Sequence, residues 1–524
     1  MIYDAIVVGG GAAGLTAAAY LTKYGRSTLL LEKENQCGGL INTFEREGII
    51  FDGWIRGLEN AGVLFPMLKN LGIEIDLIKN NISIGIEDQI IHVESDEIID
   101  KYEQMLVSLY PDSKKEISDI IGEIEVISHL MDIQYGIDNP LFLDIKEDRN
   151  YFIKKVFPWM FKYLVNVPKV SSRNQPVVPY LEKFTKNQAL IDIIAQHFFR
   201  DTPAYFALSY FRLYQDYYYP RQGTGVFSQK LVDYIIENGG EIRTGINVRH
   251  INLEKKMLRS DTGEEIIYNQ LVWAADQKTL YQIIDINAMT DHNTQTIIRN
   301  KRAFFKGVTG NDSVLTIFLG VNLGHEYFKE ISNGHFFYTP SRMGLSMAGN
   351  PPERNSWDEM KEWLGLFFNL TTYEISIPVL RNDSLAPPGK TGVMISTLFD
   401  YEITKFISDQ GWGEEFQNFI TDKVVDVLSS SVYPGLKEAV FESFIATPLT
   451  IQKITGNTDG AITGWSFTND PVPAESRLIK ITNAVKTPLN DITQAGQWTY
   501  SPSGFPVSLI TGKLAADQAN NRIK

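Results

Sequence analysis

The chain has 524 residues, 44% of them hydrophobic and 21% charged, with a formal net charge of -14. That length predicts two or three domains with a sizeable core, and the composition excludes wholesale disorder. The acidic balance excludes nucleic acid as a partner, because phosphates require a basic face, and the single cysteine, Cys37, excludes a disulfide framework and predicts a reducing, cytoplasmic setting.

Tyr3 to Val8 is a short β-branched run predicted to be a buried parallel strand. It ends at a G-x-G-x-x-G formed by Gly9, Gly11 and Gly14, with Ala12 and Ala13 inside it. The first glycine permits a tight turn, the second lets the backbone approach a pyrophosphate, and the third allows close helix–strand packing. An alanine-rich helix follows from Leu15 to Lys23, its N-terminal amides aimed at the phosphates, and Gly25 stops it. The strand Ser27 to Leu31 then delivers Glu32, placed to accept from ribose hydroxyls and to repel a 2′-phosphate. A glycine-rich turn that binds nothing is the competing reading. The uncharged stretch Ala5 to Thr22 follows Asp4 and is broken by glycines, so neither a leader nor a membrane span is expected.

Lys33 and then Gly38-Gly39 follow the acidic strand, and this resembles the extended FAD signature of the amine oxidase and phytoene desaturase flavoproteins. The resemblance implies that the glycine pair passes close to the FAD diphosphate. Relatives carry arginine after the pair; this chain has Leu40, with Asn42 and Thr43 as polar substitutes. Next comes Phe51-Asp52-Gly53-Trp54-Ile55-Arg56-Gly57-Leu58-Glu59, similar to a segment that relatives place near the flavin. Trp54 is a substrate-contact candidate, Arg56 a carboxylate or flavin-anion partner and Glu59 a base. Alternatively, Arg56 and Glu59 pair with each other or cap a helix.

Residues 80–219 are predicted mainly helical. Lys154 to Tyr163 mixes lysines with aromatics, which suits either an interfacial segment against a membrane or a lid. Aromatics crowd Tyr205 to Tyr219, Tyr210 and Tyr214 among them, which suits an apolar tunnel or a plain core. From Val226 to Asn238 a helix is predicted, then a strand over Glu241 to Ile251, a hairpin at Asp261-Thr262-Gly263, and a buried strand reaching Ala274. This order resembles the second FAD segment of the phytoene desaturase family, which implies that Val248 meets the adenine through its backbone. Asp459 to Phe467 resembles a glycine-bearing segment of carotenoid enzymes and offers Trp465 to the cavity, or is an ordinary turn. The C-terminal stretch through Gly496, Gln497, Gly504, Phe505 and Pro506 into a helix is similar to the family's closing loop, whose backbone donors face the flavin. No cysteine lies there, so the FAD is expected to be noncovalent.

The expected fold class is therefore α/β: a discontinuous Rossmann-type FAD-binding domain (residues 1–79, 220–283 and 456–524) with an inserted α+β substrate-binding domain (80–219 and 284–455). No metal site is expected, since none of the seven histidines shows ligand spacing. The resemblance implies an FAD-dependent oxidoreductase of the phytoene desaturase, carotenoid isomerase and retinol saturase group. It would move hydride between a C–H of a small hydrophobic substrate and flavin N5, with peripheral membrane contact as an accompanying expectation. An amine or amino-acid oxidase, or a non-enzymatic escort protein of the same fold, are the alternatives.

Overall fold

Three separated stretches of chain build the first of two large sheets. The structure is a computed structural model and describes residues 2–93, 98–353 and 356–523. At the sheet's centre β1 (Ile2–Val8) pairs in parallel with β2 (Thr28–Leu31) on one side and with the strand Glu265–Trp273 on the other. Glu241–Arg243 extends the sheet beyond β2, while Ile492–Gln494 pairs in parallel with the C-terminal half of Glu265–Trp273. The helix α1 (Ala12–Lys23) crosses the sheet, and every residue from Ala13 to Thr22 is buried. Its alanines allow that depth: the C-terminal helix Phe505–Arg522 packs so close that a Cβ on Gly512 would lie 2.5 Å from the carbonyl oxygen of Ala13.

The predicted single strand over Glu241 to Ile251 is two strands. Glu241–Arg243 lies at one edge of the sheet and Val248–Asn252 at the opposite end. Between them Gly245, at φ 70°, donates its N–H to the carbonyl of Glu34, and Ile246 donates to that of Glu32. These carbonyls at the end of β2 capture the linking residues, so alternation of apolar side chains persists across a break in pairing.

The second sheet has seven strands in the order Val440–Ala446, Ser313–Val321, Thr391–Phe399, Tyr373–Ser376, His335–Thr339, Ile82–Ile86, Gln89–Val93. Residues 80–219 are helical from Ile98 to Tyr214, but their opening hairpin joins this sheet through a parallel pairing of Ile82–Ile86 with His335–Thr339. The two insertions thus share one sheet. Helices Trp357–Leu370 and Gly413–Ser429 cover one face, burying Met360, Leu364, Phe368 and Ile420 against Ile317, Ile375 and Ile395. Strand alternation sends His335, Phe337, Glu374 and Ser396 to the opposite face.

Asp52, fully buried, ties the two halves. Its Oδ1 accepts from the backbone N–H and hydroxyl of Thr224 and from the Thr43 hydroxyl; its Oδ2 accepts from Tyr219. Gly512→Val is expected to destabilise by at least about 1–3 kcal/mol, because the added methyls meet the α1 backbone; a lowered urea midpoint with an unchanged m-value is the check.

Candidate functional site

The glycines of the opening turn do three separate jobs. Gly9, at φ 104°, lies so close to the strand Glu265–Trp273 that a Cβ would come 2.7 Å from the Ala274 carbonyl oxygen. A Cβ on Gly14 would sit 1.9 Å from the Gly9 oxygen. Gly11 by contrast faces open space, and Gly39 crosses it with a would-be Cβ 3.2 Å from the Gly11 Cα. Gly38 N–H bonds to the Gly10 carbonyl at 2.8 Å, locking the two glycine loops together. The result is an open backbone cradle at the start of α1 that side chains would fill.

Glu32 is buried at the rim. Its carboxylate accepts from the backbone N–H of Gly10 at 2.6 Å and of Glu34 at 2.9 Å, which fixes its plane and leaves further lone pairs for ribose hydroxyls. Val248 is buried, two residues past Ile246, whose N–H donates to the Glu32 carbonyl. Lys33 turns away, donating to the carbonyls of Lys453 and Ile454. Leu40 is half-buried, and Thr43 is not available as the polar substitute proposed for the missing arginine: its hydroxyl serves Asp52 and Gly225. On the third segment, Gly496 packs against Ala13, a Cβ there lying 3.3 Å from the alanine methyl, and its N–H donates to Thr511. Gln497 contributes its backbone beside Gly464, and Gly504, Phe505 and Pro506 open the last helix, with Phe505 against Phe227. These donors and the cradle fit a dinucleotide.

Two cavities share part of their lining. The inner chamber, about 200 Å³, is bounded by Trp54, Arg56, His335, Phe337, Glu374 and Phe505 among others. The outer vestibule, about 510 Å³, is walled by Tyr135, Trp159, Tyr163, Tyr205, Tyr500 and Pro506 among others. Glu59, Phe206, Ser503 and Gly504 border both and form the neck.

Sequence expectation and structure diverge at several of these positions. Arg56 does not pair with Glu59. It is buried, donating to the carbonyls of Asp52 and Gly53 and, at 3.0 Å, to Ser396, while its Nε has no partner. Trp54 and Tyr210 border the inner chamber. Tyr214 lies behind it, stacked on Phe337. Trp465 is not a cavity residue: it is buried in the core, stacked on Phe305, and its indole N–H is satisfied by the Trp498 carbonyl. Its neighbours Ile462 and Thr463 reach the chamber instead.

Sequence reasoning missed a buried polar chain on the sheet. Arg381 Nε donates to Asn80 Oδ1 (2.7 Å), Asn80 Nδ2 faces His335 Nδ1 (3.4 Å), and His335 Nε2 donates to Glu374 (2.9 Å). Burial pushes His335 down, keeping the imidazole neutral. Burial pushes Glu374 up, but the His335 bond and the charges of Arg56 and Arg381 outweigh it and hold the carboxyl below its usual range. No local motif marks these residues, which come from two strands and two loops; only His335-x-Phe337 alternation in an apolar run hints at a cavity-facing strand. Glu59 is opposite in character. It borders both cavities, and burial followed by the nearby Asp216 charge pushes it up to about 8.

Residues 7–71 match the family model for an NAD(P)-binding Rossmann-like domain. Over 87% of its length the chain is 23% identical to a chloroplastic prolycopene isomerase of Daucus carota, covering 71% of that protein. It is 20% identical over 94% of its length to an all-trans-retinol 13,14-reductase of Danio rerio, covering 82% of it. The chain is a relative of these isomerases and reductases. Its fold matches that of cyclohexylamine oxidase from Brevibacterium oxydans, with a TM-score of 0.58 at 11% identity and 99% of each chain covered. The chain thus shares the fold of that amine oxidase. Among the described residues no cluster of His, Cys, Asp or Glu could hold a metal ion, and no helix is long and apolar enough to cross a membrane.

A carboxyl group raised in the folded state stabilises the fold below its unfolded pKa and loses that contribution as pH rises through the folded value. Wild-type stability is therefore expected to fall between about pH 4.5 and about pH 8 through Glu59, and Glu59→Gln to flatten that limb. Urea unfolding across this range is the measurement; an unchanged slope in the variant would place Glu59 in contact with solvent.

Proposed function

We propose that the protein is a noncovalent FAD-dependent oxidoreductase acting on C–C or C=C bonds of a hydrophobic polyene, retinoid or lipid-like substrate, as desaturase, saturase or isomerase. The observation that carries this reading is the pair of cavities meeting at Glu59 beside Gly504, the end of the dinucleotide cradle. Bound FAD supplies hydride acceptance or donation. The chain itself supplies the rest. Gly11, Gly38 and Gly39 cradle the diphosphate and Glu32 holds the ribose; the N–H groups opening Phe505–Arg522 favour negative charge at the neck.

An aromatic vestibule suits a long apolar chain and keeps water from its reacting end. Glu59, protonated at neutral pH, is placed to give a proton to a substrate carbon or, once ionised, to recover one. Glu374 stays a carboxylate and orients His335 across the chamber. A relative that reduces retinol and one that isomerises prolycopene both fit this arrangement, since they differ in the net fate of the hydride and not in the cavity's demands.

Anaerobic mixing of the yellow protein with polyenes, retinoids, unsaturated fatty acids and amines tests the reading. Bleaching by polyenes or retinoids, or rearrangement of their double bonds by the pre-reduced protein, is the expected result. Bleaching by amines alone would replace the proposal with an amine oxidase, in which the Glu374 carboxylate receives the ammonium. Glu59→Gln is expected to lower turnover about 10²–10⁴-fold with flavin content unchanged, whereas Gly11→Val should purify without flavin absorbance because its side chain fills the cradle.

A further inference from the structure

His197 is an enclosed imidazole that the proposed reaction does not use. It lies just past the helix Gln188–Ala195, which buries Leu190, Ile191, Ile193 and Ile194 in the first insertion. The turn that carries it is pinned beside the strand Tyr373–Ser376. Gln196 donates to the Leu370 carbonyl at 3.0 Å and to Thr372 at 2.9 Å, and accepts from the Leu345 N–H. The ring of His197 is then held by other rings, with Phe198 at 3.9 Å between centroids, Phe337 at 5.9 Å and Tyr210 at 6.3 Å. Burial pushes the imidazole down to about 4, so it is neutral at physiological pH.

What this ring lacks is a polar partner. Its polar neighbours on the chamber wall bond within the protein: Ser396 to Arg56, Thr397 to Thr371, Thr372 to Thr339 and His335 to Glu374. His197 makes no hydrogen bond or ion pair with any described residue, yet neither of its nitrogens is walled off by protein. The space it borders is the inner chamber on one side and, on the other, a cavity of about 30 Å³ walled by Ile84, Ile86 and Ile193 among others. That smaller space holds a terminal group or a water or two. A neutral imidazole offers one donor and one acceptor; a hydroxyl serves either, a carbonyl serves the donor, and a hydrocarbon end leaves both unmet. A carboxylate end would add a second negative charge beside the ionised Glu374, while Arg56 is turned to the Asp52 and Gly53 carbonyls and to Ser396.

We propose that His197 is a specificity-determining residue of the chamber, receiving the oxygen of a neutral hydroxyl or carbonyl group at the leading end of the substrate. Given the proposed polyene chemistry, on which this step rests, the substrate is an oxygen-ended polyene, neither a pure hydrocarbon nor a fatty acid. It enters polar end first and leaves its hydrocarbon tail among the aromatic rings of the vestibule. Because the anchored end fixes how far the chain passes Glu59 and Gly504, His197 also selects which double bond meets the cofactor.

Equilibrium binding to the purified full chain, read from polyene emission, tests the anchor separately from turnover. The probe is one conjugated polyene chain ended by a hydroxyl, a methyl, a carboxylate or an ammonium group. The hydroxyl chain is expected to bind at least about fivefold tighter than the methyl chain, which leaves the buried imidazole unpaired, and tighter than the carboxylate chain. His197→Phe keeps the aromatic packing and should weaken the hydroxyl chain alone, bringing it level with the methyl chain. His197→Asn, which restores a donor, should recover part of the preference. With turnover, His197→Phe should scatter the reacted double bond over neighbouring positions. Equal binding of the hydroxyl and methyl chains by the wild type, tightest binding of the carboxylate chain, or a preference kept by folded His197→Phe overturns the anchor and leaves the polyene chemistry standing. A reacted position unchanged in that variant overturns the selection of the double bond. Tightest binding of the ammonium chain, or no binding of any polyene, removes the proposed reaction as well. The wild-type series decides even where His197→Phe does not fold.

Discussion

A buried carboxylate with four donors holds the two halves of this molecule in register. Asp52 collects Thr43 and Thr224 from the cofactor side and Tyr219 from the end of the first insertion, while its own carbonyl fixes Arg56. An ionised carboxylate buried without such partners would cost many kcal/mol, so the four groups and the chain segments that carry them are constrained together. Because Arg56 and Glu59 lie on the same short stretch, the geometry of the neck between the cavities is set by that node.

Within the chamber the two carboxyl groups are driven apart in character by their surroundings. Glu374 has two buried arginines and a histidine; Glu59 has a carboxylate neighbour and aromatic walls. One stays charged and the other stays protonated at neutral pH, and acid–base chemistry beside a redox cofactor needs that separation. The apolar vestibule leads to the protonated group, so a hydrocarbon chain threading the neck does not strand an unpaired charge.

Legibility in the sequence followed the range of the interactions. The β1–turn–α1–β2 unit was readable because its glycines, its alanines and Glu32 are local neighbours with distinct jobs. The closing loop at Gly496 to Pro506 was readable through resemblance, and it does return to Ala13. What alternation alone cannot carry is partner choice. Glu241 to Ile251 alternates like one strand yet serves opposite ends of the sheet, and Ile82 to Val93 sits in a helical insertion yet completes the distant sheet. Trp465 shows the same limit for a single residue: a large ring beside a glycine turn suits a cavity or a core, and Phe305, far away in sequence, decides for the core. The Arg381–Asn80–His335–Glu374 chain exists only in three dimensions.

The parallel pairing of β1 with Glu265–Trp273 has a consequence for biosynthesis. Ile2 is made long before its partner Ile267, and the C-terminal part of the far side of Glu265–Trp273 then waits for Ile492 to Gln494. Until then that part of the strand keeps one edge open, the kind of segment that templates pairing with other chains. The nascent protein is thus open to misassembly for as long as that edge waits. A holdase that shields Ile2 to Val8, or early capture of the nucleotide by the cradle next to it, would protect the sheet during that wait.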